Sequence, residues 1–169
     1  MRSGARAVLA LGANVGHRAQ TLHAAVEALG ATDGITVEAV STIVETAPVG
    51  AVPDQPDFLN AVVLVRTDLD PHALLAAAHA VEAGLGLDRS TKVPDGPRPI
   101  DVDVIAVGDL GDDVVLDEDG LVLPHPRAHE RDFVLGPWAE LDPDAVLPGA
   151  YGGRVVDLLT RLHHGEGPA

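Results

Sequence analysis

The chain has 169 residues and a formal net charge of −15 at pH 7, because 26 acidic residues outnumber 11 basic ones. This surplus of negative charge repels nucleic acids and anionic membrane surfaces at long range, so neither is expected as a partner. The absence of cysteine excludes disulfides, thiolate zinc sites and cysteine nucleophiles, and it fits a reducing compartment.

The length predicts one domain spanning residues 1–169, with a core of about 6–163. No stretch approaches the ~20 apolar residues of a membrane helix. We therefore expect a soluble, cytoplasmic protein, and we also expect a monomer. Aromatic residues are scarce, with two Phe, one Trp and one Tyr, so the position of each is informative.

Apolar periodicity predicts strands and helices along most of the chain. Asp70 and Pro71 form a strong helix start, because the carboxylate can cap the helix and proline suits its first turn. The predicted elements are strand 7–11, helix 17–29, a β-rich stretch 35–46, strand 58–67, helix 70–84, strand 100–107, a hairpin 109–119 leading to 121–123, and short helices 128–131 and 155–162. This order predicts an α+β, ferredoxin-like βαββαβ fold: an antiparallel sheet with helices on one face, followed by a C-terminal hairpin and short helices.

Two long polar loops, 47–57 and 88–99, flank the central strands. The first contains three prolines, which disfavour any regular element. Loops of this length in a compact domain are commonly functional, so we expect a site beside them.

Segment 100–104 alternates apolar and acidic residues with a period of two. Ile100, Val102 and Val104 therefore face one way, while Asp101 and Asp103 point together to the other face. Two adjacent carboxylates repel each other, and a hard divalent cation that also binds phosphate would compensate. A solvated strand face with ordinary surface aspartates is an equally good interpretation of the spacing.

Arg98 lies just before this strand, between Pro97 and Pro99. Its guanidinium can fork onto phosphate oxygens held by the same cations, or form a salt bridge with Asp101 or Asp103. An Asp-X-Asp pair also occurs in enzymes that use nucleotide sugars, so the pair alone leaves that class of transferase open.

Short motifs spread from Leu9 to about Pro148 match one known family in order and spacing. They are Leu11-Gly12-Ala13-Asn14-Val15-Gly16, Glu45-Thr46-Ala47-Pro48-Val49-Gly50, Asp54-Gln55-Pro56-Asp57-Phe58-Leu59-Asn60-Ala61, Gly96-Pro97-Arg98-Pro99-Ile100-Asp101-Val102-Asp103, Leu123-Pro124-His125-Pro126 and Glu130-Arg131-Asp132-Phe133-Val134-Leu135. With these motifs the chain resembles the 6-hydroxymethyl-7,8-dihydropterin pyrophosphokinase family of folate biosynthesis. The resemblance implies transfer of diphosphate from ATP to the pterin alcohol, giving AMP and the pterin diphosphate.

The resemblance also assigns a pterin site. A flat heteroaromatic ring needs stacking surfaces and in-plane hydrogen bonds, and Phe58 and Phe133 match the family's two stacking positions. Burial in the core is the common alternative for phenylalanine, but these are the only two in the chain. The implied pterin contacts are Thr46, Ala47, Val49, Phe58, Asn60 and Phe133.

For the nucleotide, the resemblance implies ATP as co-substrate and two Mg²⁺ (magnesium) ions bound by Asp101 and Asp103. The implied ATP contacts are Glu82, Arg98, Ile100, His125 and Arg131. The residues expected to carry catalysis are Arg98, Asp101, Asp103 and Arg131. Taken alone, His125 is equally a loop residue, Arg131 a helix-end cation and Glu82 a solvated helix charge.

Loop 87–95 departs from the family pattern. The arginine that the family places directly after Gly86 is displaced to Arg89, and Asp95 stands in place of a tryptophan. Arg89 and Lys92 are candidates to supply the missing positive charge. This loop leaves open a non-catalytic or altered-specificity relative that binds pterin or nucleotide. The Asp101 and Asp103 pair separately leaves open an unrelated metal-dependent transferase using a nucleotide sugar.

Overall fold

The computed structural model describes residues 4–47, 55–87, 98–108, 113–118 and 120–164. The strands are β1 (Ala5–Ala13), β2 (Ile35–Val40), β3 (Val44–Thr46), β4 (Phe58–Thr67), β5 (Asp101–Val107), β6 (Leu116–Glu118), β7 (Leu121–Leu123), β8 (Val146–Leu147) and β9 (Gly153–Arg154). The helices are α1 (Arg18–Gly30), α2 (Pro71–Gly84), α3 (Asp132–Leu141) and α4 (Val155–His163), with a short 3₁₀ helix at Ala128–Glu130. None of these helices is both long enough and apolar enough to cross a membrane.

The main sheet is antiparallel, with strand order β2-β4-β1-β5 and β3 also paired to β4. Helix α1 connects β1 to β2, and α2 connects β4 to β5. This arrangement confirms the predicted ferredoxin-like α+β fold. The β-rich stretch 35–46 forms two strands, and between them the Ser41 hydroxyl accepts a hydrogen bond from the N–H of Val62 at 2.8 Å.

One face of the sheet packs against α1 and α2. Leu9 and Leu11 of β1 are buried on this face, where Leu22 and Leu29 of α1 and Leu74 of α2 belong to the same cluster. Because strand side chains alternate between faces, the intervening residues of β1 point to the opposite side. The predicted packing of helices against one face is confirmed for this pair.

The two C-terminal helices cover part of the other face. Val62 and Leu64 of β4 are buried there with Leu135 and Trp138 of α3 and Leu158 of α4. The sheet therefore has an apolar core on each side. The two cores share strands, and neither is built from a separate segment of the chain.

Residues that start or break helices explain which helices were predicted correctly from the sequence and which were missed. Helix α2 begins as predicted, because the Asp70 carboxylate accepts a hydrogen bond from the N–H of Ala73 at 2.8 Å and Pro71 occupies the first turn. Helix α3 lies outside the predicted elements, since Gly136 and Pro137 inside it are strong helix breakers. Its buried apolar side offsets that weak propensity.

The predicted C-terminal hairpin corresponds to β6 and β7, which pair with Leu116 opposite Leu123. Residues 109–112 and 119, which belong to the predicted hairpin, lie outside the described residues. The chain then leads from β7 into the 3₁₀ helix and α3, which bring the segment 125–134 over the sheet.

Candidate active site

A cleft of about 680 Å³ opens on the sheet face that also carries α3 and α4. It is lined by most of the residues that the sequence analysis singles out: Thr46, Ala47, Phe58, Asn60, Arg98, Asp101, Asp103, His125, Arg131 and Phe133. The two phenylalanines and the two aspartates thus share one cleft on one face of the sheet. Segments distant in sequence meet there because β3, β4, β1 and β5 are neighbours in the sheet.

The floor of the cleft is the end of the central strand β1. Gly12 is the register partner of Asn60 on one side and of Asp101 on the other. Ala10 has the same relation to Asp103 across β5. Because β1 presents the small residues Ala10 and Gly12 at this end of the face, the polar side chains of its neighbours stand around an open space.

At Gly12 the floor of the cleft has little room for a side chain. A Cβ atom added there would lie 3.2 Å from Asn60 Oδ1 and 3.7 Å from Phe58 Cδ1. The first of these distances is tighter than ordinary van der Waals contact. The cleft therefore reaches the backbone of β1 at this point.

Asn60 is buried and is held by strand β3. Its Nδ2 donates to Thr46 Oγ1 at 2.8 Å and lies 3.4 Å from the carbonyl of Val44. Since the amide nitrogen is used in this way, Asn60 Oδ1 is the atom that lies over Gly12. The Thr46 hydroxyl accepts from Asn60, so its own hydrogen can be donated to a ligand.

Arg98 and Asp101 form a charged pair in the cleft. Arg98 Nε lies 3.6 Å from Asp101 Oδ1, and the two side chains are only 6% and 24% exposed. The salt bridge considered for Arg98 in the sequence is thus present at Asp101. It places the guanidinium beside the Asp101 carboxylate, and Arg98, Asp101 and Asp103 all line the cleft.

His125 is tied to β5 through its main chain, because its N–H donates to the carbonyl of Ile105 at 2.8 Å. The register between β1 and β5 shifts between Val8 and Leu9, which places Ile105 at a β-bulge. The bulge therefore anchors the His125 segment to the strand that carries the aspartates.

The imidazole of His125 is neutral with a defined tautomer. Its Nδ1 accepts a hydrogen bond from the N–H of Arg127 at 3.2 Å, so the ring proton sits on Nε2. Burial, together with the smaller effects of the positive charges of Arg131 and Arg127, lowers the pKa of His125 from 6.5 to about 4. At neutral pH the ring is an uncharged hydrogen-bond donor.

Charged residues of segment 127–132 complete the wall next to His125. The Arg131 guanidinium lies 5.7 Å from the centroid of the Phe133 ring. Arg127 and Glu130, which also line the cleft, form a salt bridge of 3.3 Å between Nε and Oε2. This pair was not predicted from the sequence, because an Arg and a Glu three residues apart are typical of an exposed helix turn.

Two predicted site residues do not line the cleft, and a third lies outside the described residues. Glu82 and Ile100 are buried, with exposures of 1% and 0%, and neither lines the cleft. Glu82 Oε2 accepts a hydrogen bond from the N–H of Val102 at 2.8 Å, so it supports β5 from the helical side. Val49, and the divergent loop from residue 88 to 95, lie outside the described residues.

The fold is that of a small α+β enzyme, and its cleft combines aromatic, acidic and basic side chains. A family model described as 7,8-dihydro-6-hydroxymethylpterin-pyrophosphokinase (HPPK) matches residues 8–143. The chain therefore belongs to the HPPK family, and its activity is the pyrophosphokinase reaction of folate biosynthesis.

Curated relatives agree with this assignment. The chain is 46% identical over 144 residues to a 2-amino-4-hydroxy-6-hydroxymethyldihydropteridine pyrophosphokinase of Methylorubrum extorquens, covering 85% of this chain and 87% of the relative. It is 42% identical over 135 residues to the enzyme of that name in Bacillus subtilis, covering 80% and 77%. A relative called bifunctional protein FolKE, from Lactococcus lactis, is 43% identical but is covered over only 36% of its length.

Solved structures support the fold. An HPPK-DHPS protein in complex with substrates has a TM-score of 0.71 and 14% sequence identity, covering 96% of this chain and 44% of that one. A Plasmodium falciparum HPPK-DHPS structure also has a TM-score of 0.71, with 15% identity and coverage of 96% and 47%. At this identity the likeness concerns the fold alone.

Proposed function

We propose that the cleft is the active site, with the pterin ring between Phe58 and Phe133 and the triphosphate of ATP beside Asp101 and Asp103. One observation carries this proposal: both rings and both carboxylates line the same cleft of about 680 Å³. Pockets of a few hundred to about a thousand Å³ are the size that small-molecule ligands occupy.

The ring end of the cleft suits a pterin. Two aromatic side chains supply stacking surfaces, and the edge of a pterin carries both donors and acceptors. Asn60 Oδ1 and the Thr46 hydroxyl hydrogen offer one acceptor and one donor at this end. The backbone of Ala47, which also lines the cleft, is assigned to the remaining in-plane contacts.

The phosphate end suits two Mg²⁺ ions. Asp101 and Asp103 are hard oxygen ligands that project from the same face of one strand. Within the described ranges no cluster of three or more His, Asp or Glu side chains is arranged to hold a metal. Magnesium is commonly held by one or two carboxylates together with water and substrate phosphates, so two aspartates fit this role. Bound there, the ions would neutralise phosphate charge.

Arg98, Arg131 and His125 are assigned to the phosphates. The two guanidinium groups can fork onto phosphate oxygens, and Arg98 is held in place next to Asp101. His125 would donate from Nε2, since its Nδ1 is used by the main chain of Arg127. Catalysis of such a transfer depends mainly on position and charge, which these residues supply.

In the proposed reaction the pterin hydroxymethyl oxygen attacks the β-phosphorus of ATP in line. The bond to the α,β-bridging oxygen breaks, and AMP leaves with that oxygen. Asp103 is a candidate acceptor for the hydroxyl proton, because it projects into the cleft beside Asp101.

The test is AMP release from ATP, magnesium and 6-hydroxymethyl-7,8-dihydropterin. Asp101→Asn and Arg98→Ala should each lower kcat/KM by about 100-fold or more, because charge stabilisation at the phosphates is lost. Asp117→Asn on β6 and Arg154→Ala on β9 change the same charges at exposed positions away from the cleft. These controls should retain wild-type rates. Full activity of Asp101→Asn would refute the assignment.

A further inference from the structure

Asn14 is buried with 0% exposure at the end of β1, next to the cleft but not among the residues assigned to substrate. A fully buried amide needs hydrogen-bond partners, so the identity of those partners shows which parts of the fold it connects. All of its described partners belong to two segments that border the cleft from different sides.

The first segment is the one that carries Arg98. The N–H of Arg98 donates to Asn14 Oδ1 at 2.7 Å, and the N–H of Asn14 donates to the carbonyl of Arg98 at 3.0 Å. Both main-chain polar groups of Arg98 are therefore fixed by one residue. Through Gly12 and its register partner Asp101, the same strand also fixes the carboxylate end.

The second segment precedes Phe58. Asn14 Nδ2 donates to the carbonyl of Pro56 at 3.1 Å and to Gln55 Oε1 at 3.0 Å. The orientation of the amide is fixed by chemistry: the carbonyl of Pro56 can only accept, and the N–H of Arg98 can only donate. Asn14 therefore uses both ends of its side chain, one for each segment.

We propose that Asn14 is a positioning residue that holds the phosphate arginine and the ring-binding segment in one productive geometry. This inference rests on the proposed function, because it assumes that Arg98 and Phe58 act on the two substrates. Asn14 itself contacts neither substrate. Displacement of a catalytic group by about 1 Å can lower the rate on the order of 100-fold. The loss of a buried residue that holds such a group in place is therefore expected to lower the rate.

The two ends of the side chain predict different kinetic effects. Asn14→Ala removes both connections and should lower kcat by about 10- to 100-fold, because Arg98 is no longer held. Gln55→Ala removes only a ring-side partner and should raise the KM for the pterin about fivefold, with kcat within about twofold of wild type. The double variant should be no worse than Asn14→Ala, since the two residues share one contact.

Ser41→Ala is the matched control for a purely structural effect. Ser41 is also a buried polar residue, with its hydroxyl bonded to the main chain of Val62 and Thr42, but it does not line the cleft. It should lower the melting temperature while leaving kcat unchanged. If Asn14→Ala is too unstable to assay, Asn14→Asp keeps the acceptor for Arg98 and loses the ring-side donors. Asn14→Asp should therefore raise the KM for the pterin at least as much as Gln55→Ala does, because its second carboxylate oxygen also faces the carbonyl of Pro56.

The outcomes separate the two proposals. If Arg98→Ala is inactive but Asn14→Ala keeps a third or more of the wild-type kcat, the positioning role is overturned and the proposed function stands. The positioning role is likewise overturned, and the proposed function stands, if Asn14→Asp lowers kcat without changing the KM for the pterin. If Arg98→Ala is itself fully active, the assignment of the phosphate site fails first.

Discussion

The missing side chain of Gly12 defines the floor of the cleft. Gly12 separates Asn60 from Asp101 in one row of three paired strands, and the space above it is bounded by Phe58. This residue was identified in the sequence only as part of a motif. Its steric role depends on cross-strand neighbours that no local pattern reveals.

We predict that Gly12→Ala raises the KM for the pterin about tenfold, because the added methyl group overpacks the space beside Asn60. Steady-state kinetics with varied pterin would measure this effect. Gly84→Ala is the matched control, since a Cβ there meets no atom within 4 Å. Equal KM values for the two variants would contradict the steric role of Gly12.

The lowered pKa of His125 makes the folding stability depend on pH. Its folded pKa of about 4 is lower than the ordinary value of 6.5, so the unfolded chain binds a proton that the folded chain does not. This contribution to stability is complete above pH 6.5 and is lost progressively as the pH falls towards about 4.

In the absence of ligands, His125→Gln should therefore flatten part of the acid-side loss of stability. Melting temperatures of variant and wild type, measured from pH 7.5 to 4, should follow less steep slopes in the variant below pH 6.5. The exposed His23→Gln on α1 serves as the control and should retain the wild-type slope. A wild-type slope for His125→Gln would show that the imidazole charges easily in the fold.

At the level of elements, strand β5 is the edge strand that carries both aspartates, and α2 supports it. Glu82 Oε2 accepts from the N–H of Val102, the residue between Asp101 and Asp103. The interpretation of Glu82 as a nucleotide contact stays a prediction, but its burial gives it a clear role under this strand.

Glu82→Ala should lower the free energy of unfolding by about 2 kcal/mol, because the buried N–H of Val102 loses its acceptor. Glu82→Gln keeps an acceptor oxygen and should cost less. Urea unfolding of both variants would measure the difference, with the exposed Glu27→Ala on α1 as a near-neutral control. If the Ala and Gln variants are equally stable, the hydrogen bond to Val102 does not matter.

Most elements were predictable because local signals and tertiary packing agree. The continuous apolar run of β4 and the Asp70-Pro71 start of α2 are both found at the predicted places. Helix α3 was not predictable in the same way, since Gly136 and Pro137 oppose it locally and burial of Trp138 and its neighbours favours it. The cleft residues that belong to a recognisable motif, such as Asp101 and Asp103, were predicted from the sequence. Arg127 also lines the cleft but belongs to no such motif, so it was not predicted.

For the whole molecule, one sheet joins two apolar cores. Val8 and Leu9 are adjacent in β1 but belong to opposite cores. Neither core can lose its packing without exposing the sheet on which the other depends. This arrangement favours a single cooperative unfolding transition.

The single tryptophan provides the test. Trp138 is buried in the core formed by α3 and α4, so its fluorescence reports on that core. Far-UV circular dichroism reports on all helices, including α1 and α2. Urea transitions followed by the two probes should coincide in midpoint and slope. A lower midpoint for fluorescence would mean that the core formed by α3 and α4 unfolds separately.

Because its floor belongs to β1, an inner strand of the sheet, the depth of the cleft is set by main chain that is paired on both sides. A rotamer change can move an aromatic wall aside, but no rotamer change can deepen a strand at a glycine. Inhibitors of this protein should therefore tolerate added bulk along the faces of Phe58 and Phe133. They should lose affinity sharply when even one methyl group is directed at Gly12.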